Sequence, residues 1–185
     1  MKEHATYDDV LRAPENMVAE LIDGELYTWP RPRGRHGKAQ MALSVRIGRA
    51  YFEDDGDPGG WWLIAEPELR LGSHTVVPDI AGWRRERMPD VPESHIFDVV
   101  PDWICEILSP STARVDRGHK LRVYADHGVS WAWYVDVDGK TLEVMQLVDE
   151  AWKIQRVYTG GGVVRAEPFT AVEINLALVW GPDPD

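Results

Sequence analysis

The sequence predicts an α/β or α+β domain built on a mixed β-sheet with flanking helices. Runs that are rich in β-branched and aromatic residues lie on both sides of one helical segment. The predicted strands cover residues 61–71, 75–83, 103–108, 130–136, 141–147 and 152–158. Strands before and after a crossover helix are typical of a sheet that contains both parallel and antiparallel pairs.

The N-terminal part of the chain predicts a short helix and a hairpin. Thr6 and Asp9 match the spacing of a capping box, which predicts a helix over residues 7–12. Apolar residues flank the dipeptide Asp23-Gly24, the strongest short-range signal for a β-hairpin. We therefore expect an N-terminal hairpin ahead of the main sheet.

Two longer helices are also predicted. Met41, Val45 and Phe52 lie near helical spacing, which predicts a helix over residues 38–52 that ends at a loop rich in aspartate and glycine. The second helix is the crossover helix and covers residues 112–127. A serine or threonine caps its start, and a glycine follows its end.

Length and composition predict one domain over residues 1–185, with its core at about 15–175 and a short acidic tail at 181–185. No apolar run approaches the roughly 20 residues that span a bilayer. The N-terminus lacks the apolar segment of a secretory signal. The single cysteine, Cys105, lies in a predicted strand and cannot form an internal disulfide. We expect a reducing, cytoplasmic location with no membrane partner.

The formal net charge of -11 argues against broad binding of nucleic acid. The field of the whole protein repels a duplex unless basic residues gather on one surface. Basic residues concentrate at 31–38 and at 84–87, although solvated loops explain both segments more simply. Carboxylates that hold a metal ion also contribute negative charge, so the total does not exclude a metal-dependent enzyme.

The most informative residue is Glu106, a carboxylate in an apolar strand. Side chains alternate along a strand, which puts Glu106 on the same face as Ile104 and Leu108. An ionised carboxylate on an apolar face is costly unless it is paired, hydrogen-bonded or bound to a metal. Asp79 has a similar setting between Val77 and Ala81. Two such carboxylates in one domain suggest a metal site.

A lysine on the crossover helix completes the candidate site. Asp116 and Lys120 form an i,i+4 pair, and Tyr124 lies on the same side as Lys120. The ammonium group is therefore expected to border the buried seam. Because helical side chains tilt toward the N-terminus of their helix, Lys120 can lean back toward the end of the Glu106 strand.

Two carboxylates and a lysine that meet at a sheet edge fit metal-dependent hydrolysis of phosphodiesters. Carboxylate oxygens hold Mg²⁺, which keeps several waters and accepts substrate phosphate as a further ligand. A metal ion makes its bound water more acidic and stabilises charge in the transition state. A lysine can orient or deprotonate that water, or lie against the developing charge.

Four segments resemble the Uma-type restriction endonuclease family of the PD-(D/E)xK nuclease superfamily. They are Val77-Pro-Asp79, residues 102–112, residues 116–124 and residues 128–136. The segment at residues 20–25 and the later His36 also match the usual N-terminal part of this family. The resemblance covers roughly residues 5–175, and the Glu-Ile-Leu-Ser-Pro-Ser-Thr block that begins at Glu106 is its most specific part.

The resemblance implies a restriction-endonuclease-like core with a Mg²⁺ or Mn²⁺ site that acts on DNA. Asp79 and Glu106 would be metal ligands, joined by the main-chain carbonyl of Ile107, and Glu20 would be a further or outlying metal carboxylate. One departure matters. The superfamily motif places lysine two residues after the acid, where this chain has Leu108. The lysine has moved to the following helix in this family, which makes Lys120 the candidate.

Each assignment has a structural alternative. Asp79 follows a proline and could cap a turn, and Glu106 could form an ion pair with Lys120 with no metal between them. Asp116 could hold Lys120 in a surface salt bridge. His36 is better explained as a residue at a helix start than as a ligand.

Three functions remain open at this point. The first is a Mg²⁺-dependent DNA endonuclease, for which a homodimer is reasonable because double-strand cleavage needs two active sites. The second is a catalytically inactive binding or assembly module that keeps the nuclease fold. The third is a metal-dependent hydrolase of a smaller phosphate ester, for which an acidic surface is less of a handicap.

Overall fold

The computed structural model describes residues 4–30, 34–52 and 59–181. The helices are α1 Tyr7–Leu11, α2 Arg35–Tyr51, α3 Ala113–Val115, α4 Leu121–Asp126 and α5 Leu176–Trp180, with a π-helical segment at Asp116–Lys120 between α3 and α4. The strands are β1 Met17–Ile22, β2 Glu25–Pro30, β3 Trp61–Ala65, β4 Glu68–Leu71, β5 His74–Val76, β6 Ile80–Arg84, β7 Ile96–Phe97, β8 Trp103–Leu108, β9 Trp131–Asp136, β10 Thr141–Val148, β11 Ala151–Thr159, β12 Val163–Val164 and β13 Ile174–Asn175. The predicted tail beyond residue 181, most of the loop after α2 and part of the first basic segment lie outside the described residues.

The structure confirms the mixed α and β class, and the described residues add a five-stranded sheet and the two-stranded pair of β12 and β13 to the main sheet. Six strands form the larger sheet in the order β11-β10-β9-β8-β6-β3, and five form the smaller sheet in the order β2-β1-β5-β4-β7. β8 and β9 run parallel, whereas β6 and β8 run antiparallel. The crossover from β8 to β9 passes through α3, the π-helical segment and α4, as the sequence predicted.

The N-terminal hairpin is confirmed in detail. β1 pairs with β2 antiparallel, with Ile22 opposite Glu25. The turn residues Asp23 and Gly24 have φ values of 55° and 73°. Two positive φ values in a two-residue loop are the signature of a type I′ turn, whose twist matches that of the strands. This turn fixes the register that carries Glu20 and Trp29 toward the site.

Helix α2 is confirmed, but a different face of it packs against the sheet. Ala39, Leu43 and Ile47 are buried at i,i+4 spacing. Met41 and Val45, which indicated the helix in the sequence, are 63% and 60% exposed. The chain carries apolar residues on two faces of α2, and spacing alone does not tell which face is covered.

Two of the predicted strands are divided at prolines. The predicted strand at 61–71 separates into β3 and β4 around Pro67, and the strand at 75–83 separates into β5 and β6 around Pro78. Proline lacks the N–H group that a ladder needs, so pairing stops at these positions. The break at Pro78 matters for function because it puts Asp79 just ahead of β6.

The larger sheet has an apolar core on each of its faces. On one face, Trp103 and Cys105 of β8 pack with α2 and α5. On the other face, Ile104 packs with α4 and the smaller sheet. The layers are therefore helices, large sheet, and then the crossover helix with the small sheet. The candidate site lies on this second side.

No helix among the described residues is long and apolar enough to cross a membrane. The single domain over residues 1–185, the cytoplasmic location and the homodimer stay predictions.

Candidate active site

Glu106 lies in the middle of the protein, on the face of β8 that meets α4. Its side chain is 2% exposed, and the other residues of the strand are buried apart from Leu108, which is partly buried. Oε1 of Glu106 accepts a hydrogen bond from the Tyr124 hydroxyl at 2.6 Å and lies 2.9 Å from Nζ of Lys120. The described contacts of this carboxylate are made through Oε1, which leaves Oε2 as the atom for a further ligand.

Lys120 is as buried as Glu106 and lies between acidic side chains from three elements. Its Nζ is 2.9 Å from Oε1 of Glu20, 2.9 Å from Oε1 of Glu106 and 3.4 Å from Oδ1 of Asp116. It also donates to the backbone carbonyl of Val77 at 3.1 Å. An ammonium group has three protons to donate, so these acceptors satisfy it fully. The predicted surface salt bridge with Asp116 is instead a buried contact, since Asp116 is 4% exposed.

Glu20 reaches the site from β1 of the small sheet and anchors Lys120. Besides the lysine, its Oε1 accepts from the backbone N–H of Val77 at 2.8 Å. Its Oε2 accepts from the indole N–H of Trp29 at 3.1 Å. Glu20 therefore holds Lys120 in place, and its predicted role as a possible metal carboxylate stays a prediction.

Asp79 lies just ahead of β6, across from Glu106 of β8. The last paired residues of β6 and β8 are Ile80 and Cys105, so the next pair along this register is Asp79 and Glu106. Oδ2 of Asp79 accepts from the backbone N–H of Ile107 at 2.6 Å. This bond ties the carboxylate to the strand that carries Glu106. Asp79 therefore does more than cap the turn after Pro78.

His36 and Gln40 from the first turns of α2 lie on either side of Asp79; the sequence analysis explained His36 as a residue at a helix start and did not identify Gln40. Nε2 of His36 lies 3.3 Å from Oδ1 of Asp79, and the amide of Gln40 donates to the Asp79 backbone carbonyl at 2.8 Å. His36 is at a helix start, as expected, yet its ring is aimed into the site. The i,i+4 spacing of the two residues on one helix face was the available signal.

Burial and charge act together on the titratable groups. Burial raises the pKa of Glu106 and of Asp116 above their ordinary values. Burial lowers the pKa of Lys120, but the Glu106 and Glu20 carboxylates outweigh it, and the result is a pKa well above the ordinary value. Burial also lowers the pKa of His36, and its contact with Asp79 more than reverses this. Acidic groups outnumber basic ones here, so the site has an excess of negative charge.

This donor set suits a hard divalent cation. Asp79 supplies a carboxylate, Glu106 has its Oε2 available, and Ile107 lines the same cavity, so two acids and one main-chain carbonyl could act as ligands with water completing the shell. Within the described residues, however, no group of three or more His, Cys, Asp or Glu side chains is already arranged around a metal position. The protein provides two carboxylates rather than a complete cage.

One cavity joins these groups. It has a volume of about 230 Å³ and is lined by every candidate site residue that was predicted from the sequence. These residues are Glu20, His36, Asp79, Glu106, Ile107, Asp116 and Lys120. The sequence did not predict three other parts of its wall: Trp29 with Pro30 of β2, Glu66 before β4, and the hydroxyl residues Ser109, Ser111 and Thr112.

A mixed sheet that brings two acids from neighbouring strands together with a lysine from the next helix is the arrangement expected of restriction-endonuclease-like proteins. The family model described as "Putative restriction endonuclease", Uma2, matches residues 5–178. The chain therefore belongs to the Uma2 family.

Two known proteins are similar to this chain. "Uncharacterized protein slr1290" from Synechocystis is 27% identical over 135 residues, which cover 68% of this chain and 63% of that protein. The chain thus spans less than two thirds of the length of this relative. The crystal structure of "a putative nuclease belonging to DUF820" from Anabaena variabilis matches with a TM-score of 0.75 at 24% identity, over 95% of this chain and 97% of that one. This second likeness shows the shared fold.

Proposed function

We propose that this chain is an endonuclease that hydrolyses DNA phosphodiester bonds and depends on Mg²⁺ or Mn²⁺. The observation that carries the proposal is the meeting of Asp79, Glu106 and Lys120 in one cavity. They come from two strands and a following helix, the order that the family resemblance implies. Family membership supports the nuclease class, and the donor set supports the metal.

Asp79, Glu106 and the Ile107 carbonyl are the groups that would hold the cation. When bound, Mg²⁺ makes a coordinated water more acidic and offsets negative charge on the phosphate. Asp79 is kept in place by the Ile107 N–H on one oxygen and His36 on the other. Glu106 is held through Oε1 by Tyr124 and Lys120. The protein thus orients both carboxylates in advance, so that little reorganisation is needed.

Lys120 acts as a donor in this arrangement. Its protons face Glu20, Glu106 and the Val77 carbonyl, and it keeps them because the surrounding carboxylates favour the charged form. A fixed ammonium beside Glu106 can orient a water or lie against the negative charge that develops on the phosphate. This geometry favours orientation and charge stabilisation over removal of a proton from the water.

Cleavage of a supercoiled plasmid by the purified protein tests the proposal. We expect nicking or cutting with Mg²⁺ or Mn²⁺, none with EDTA, and loss of activity in Glu106→Gln. Glu86→Gln is the matched control because Glu86 is exposed and lies away from the cavity. Equal cleavage by the wild type and Glu106→Gln would assign the activity to another site or to a contaminant.

An inactive binding module is the second candidate, and one observation favours it. Lys120 already neutralises part of the charge of Glu106 at 2.9 Å, so the carboxylate is partly compensated without a metal. Isothermal titration calorimetry separates the two functions. Uptake of Mg²⁺ or Mn²⁺ at millimolar concentration, lost in Asp79→Asn, supports the enzyme. Absence of uptake together with absence of cleavage supports the module.

A further inference from the structure

We propose that Trp29, backed by Tyr27, stacks on an unpaired base of the substrate, and that the preferred substrate is single-stranded or locally unpaired DNA. We call these two residues the aromatic pair. The inference rests on the proposed function, because it names the substrate class of the same site. It concerns a part of the cavity wall that neither the motif nor the metal ligands include.

The register of the hairpin places the aromatic pair on the catalytic side of the small sheet. Trp29 lies opposite Val18, and Tyr27 lies opposite Glu20. Residues that face each other across an antiparallel ladder point to the same side of the sheet. Trp29 and Tyr27 therefore project to the side on which Glu20 holds Lys120, and Trp29 lines the cavity beside the acids.

The indole of Trp29 is held in a fixed orientation. Its N–H donates to Oε2 of Glu20 at 3.1 Å, and its ring stacks on Tyr27 with the centroids 6.1 Å apart and the planes at 19°. The His119 ring lies 6.1 Å beyond Tyr27. Trp29 is nevertheless only partly buried, so part of a large aromatic surface stays open beside buried charges. Flat, fixed aromatic rings next to a phosphate site suit base stacking, which tolerates any base.

The size and charge of the site favour an unpaired strand over an intact duplex. Glu106 and Lys120 are each 2% exposed, so a scissile phosphate must enter the cavity to reach them. The cavity of about 230 Å³ is smaller than the roughly 300–1,000 Å³ of ordinary ligand pockets. An unpaired strand can bend to bring one phosphate into so small a space more easily than a stiff duplex can. Enzymes that turn a base out of the helix to reach it likewise act on a single unpaired nucleotide. The net charge of -11 further weakens attraction to the dense charge of a duplex.

A structural role for Trp29 predicts something different. If the indole served only to hold Glu20, its N–H would matter and its open ring surface would not. Phenylalanine at this position keeps a stacking ring and loses the N–H donor, whereas leucine loses both. The two substitutions therefore separate stacking from positioning.

Fluorescence anisotropy with labelled oligonucleotides measures this difference. The full chain carrying Glu106→Gln, which binds without cutting, is titrated with single-stranded and duplex DNA of one sequence. We expect tighter binding of the single strand. Adding Trp29→Leu should weaken single-strand binding about five- to 150-fold, the range for losing one stacked base, while Trp29→Phe should stay within about threefold.

An abasic scan of the oligonucleotide tests the same contact without altering the protein. Replacing one nucleotide at a time by an abasic spacer should weaken binding at one position, and that loss should vanish in Trp29→Leu. Circular dichroism of each variant shows whether it is folded; if Trp29→Leu is not, the abasic scan in the wild-type background decides.

The outcomes separate the inference from the proposed function. If single strand and duplex bind equally, and no abasic position weakens binding, the proposed stacking on Trp29 is wrong. Cleavage of plasmid would still support the nuclease. Binding that falls equally in Trp29→Phe and Trp29→Leu assigns Trp29 to positioning Glu20 and also overturns the proposed stacking. Failure to bind or cut any DNA removes both proposals together.

Discussion

The two faces of strand β8 contain different kinds of side chain. One face presents Trp103, Cys105 and Ile107 to an apolar core that includes Phe169. The Trp103 and Phe169 rings meet edge to face with centroids 4.9 Å apart. The other face carries Glu106 between the apolar residues Ile104 and Leu108, and the Glu106 carboxylate contacts Lys120 and Tyr124. Adjacent residues of one short strand therefore belong to a dry aromatic core and to a buried polar network.

The contrast indicates how the fold tolerates a buried charged site. Buried aromatic groups stabilise the larger sheet, and their rings fix where β6 and β8 lie. The polar face then holds charged groups at a known position, although desolvation makes them costly. If this division is correct, substitutions on the apolar face should reduce stability, and substitutions on the polar face should reduce activity.

The largest effect is expected from Glu106→Gln. Glutamine keeps an oxygen for Tyr124 and Lys120 but loses the charge that a cation needs, so cleavage should fall by about 10³-fold, a size seen when one group that stabilises charge is removed. Plasmid-nicking rates measure the loss. The free energy of unfolding, measured in urea, should change by less than about 1.5 kcal/mol. A larger change would mean that Glu106 is a structural residue.

Trp103→Ala tests the opposite face. Removing a fully buried tryptophan leaves a cavity among Trp133 and Phe169, and the free energy of unfolding should fall by about 3–5 kcal/mol. Urea denaturation followed by circular dichroism gives the value. Cleavage per folded molecule should stay close to that of the wild type. A small loss of stability with a large loss of cleavage would break the division between the faces.

Lys120→Met should reduce cleavage by about 10²-fold, because the donor beside Glu106 is lost. Mg²⁺ uptake should persist, since the substitution removes a positive charge from the neighbourhood of the ligands. Calorimetry and cleavage assays on the same preparation give both numbers. Loss of metal binding would show instead that Lys120 is needed to hold the metal ligands in place and not only to assist cleavage.

The smallest effect is expected from Tyr124→Phe. It removes the hydroxyl that donates to Glu106 at 2.6 Å, while Lys120 still contacts the same oxygen. Cleavage should fall about two- to tenfold, in line with one hydrogen bond of about 0.5–1.5 kcal/mol. Tyr158→Phe is the matched control, because that hydroxyl bonds a backbone carbonyl away from the cavity. If the two substitutions reduced cleavage equally, the hydroxyl of Tyr124 would have no specific role in the site.

Much of the fold could be predicted from local patterns. The type I′ hairpin follows from Asp23-Gly24, and β8 follows from its run of apolar residues. The second sheet could not be predicted, because its short strands β4, β5 and β7 pair through contacts that no local pattern reports. The buried face of α2 was also ambiguous, since apolar residues at helical spacing begin at both Ala39 and Met41. Only packing in the folded protein decides which of the two faces is covered.

The candidate site shows the same limit. Asp79, Glu106 and Lys120 stood out because charged residues in apolar surroundings are costly and so need a reason. Gln40 and Trp29 did not stand out, because each is unremarkable in its own segment. Gln40 lies 39 positions from the Asp79 carbonyl that it contacts. Such residues acquire a role only when the fold brings distant segments together.

The π-helical segment at Asp116–Lys120 changes the hydrogen bonding of the crossover helix at the point where that helix lines the cavity. The N–H of Leu121 bonds the carbonyl of Asp116, five residues back, and the Tyr134 hydroxyl donates to the same oxygen. A π turn amounts to one residue more than regular winding requires. Deleting Gly118 would allow regular α-helical winding here, with Asp116 and Lys120 at i,i+3, a spacing that still keeps both residues on one helix face. The extra residue lets the Asp116 backbone carbonyl accept from both the Leu121 N–H and the Tyr134 hydroxyl, while the carboxylate of the same residue lies 3.4 Å from Nζ of Lys120.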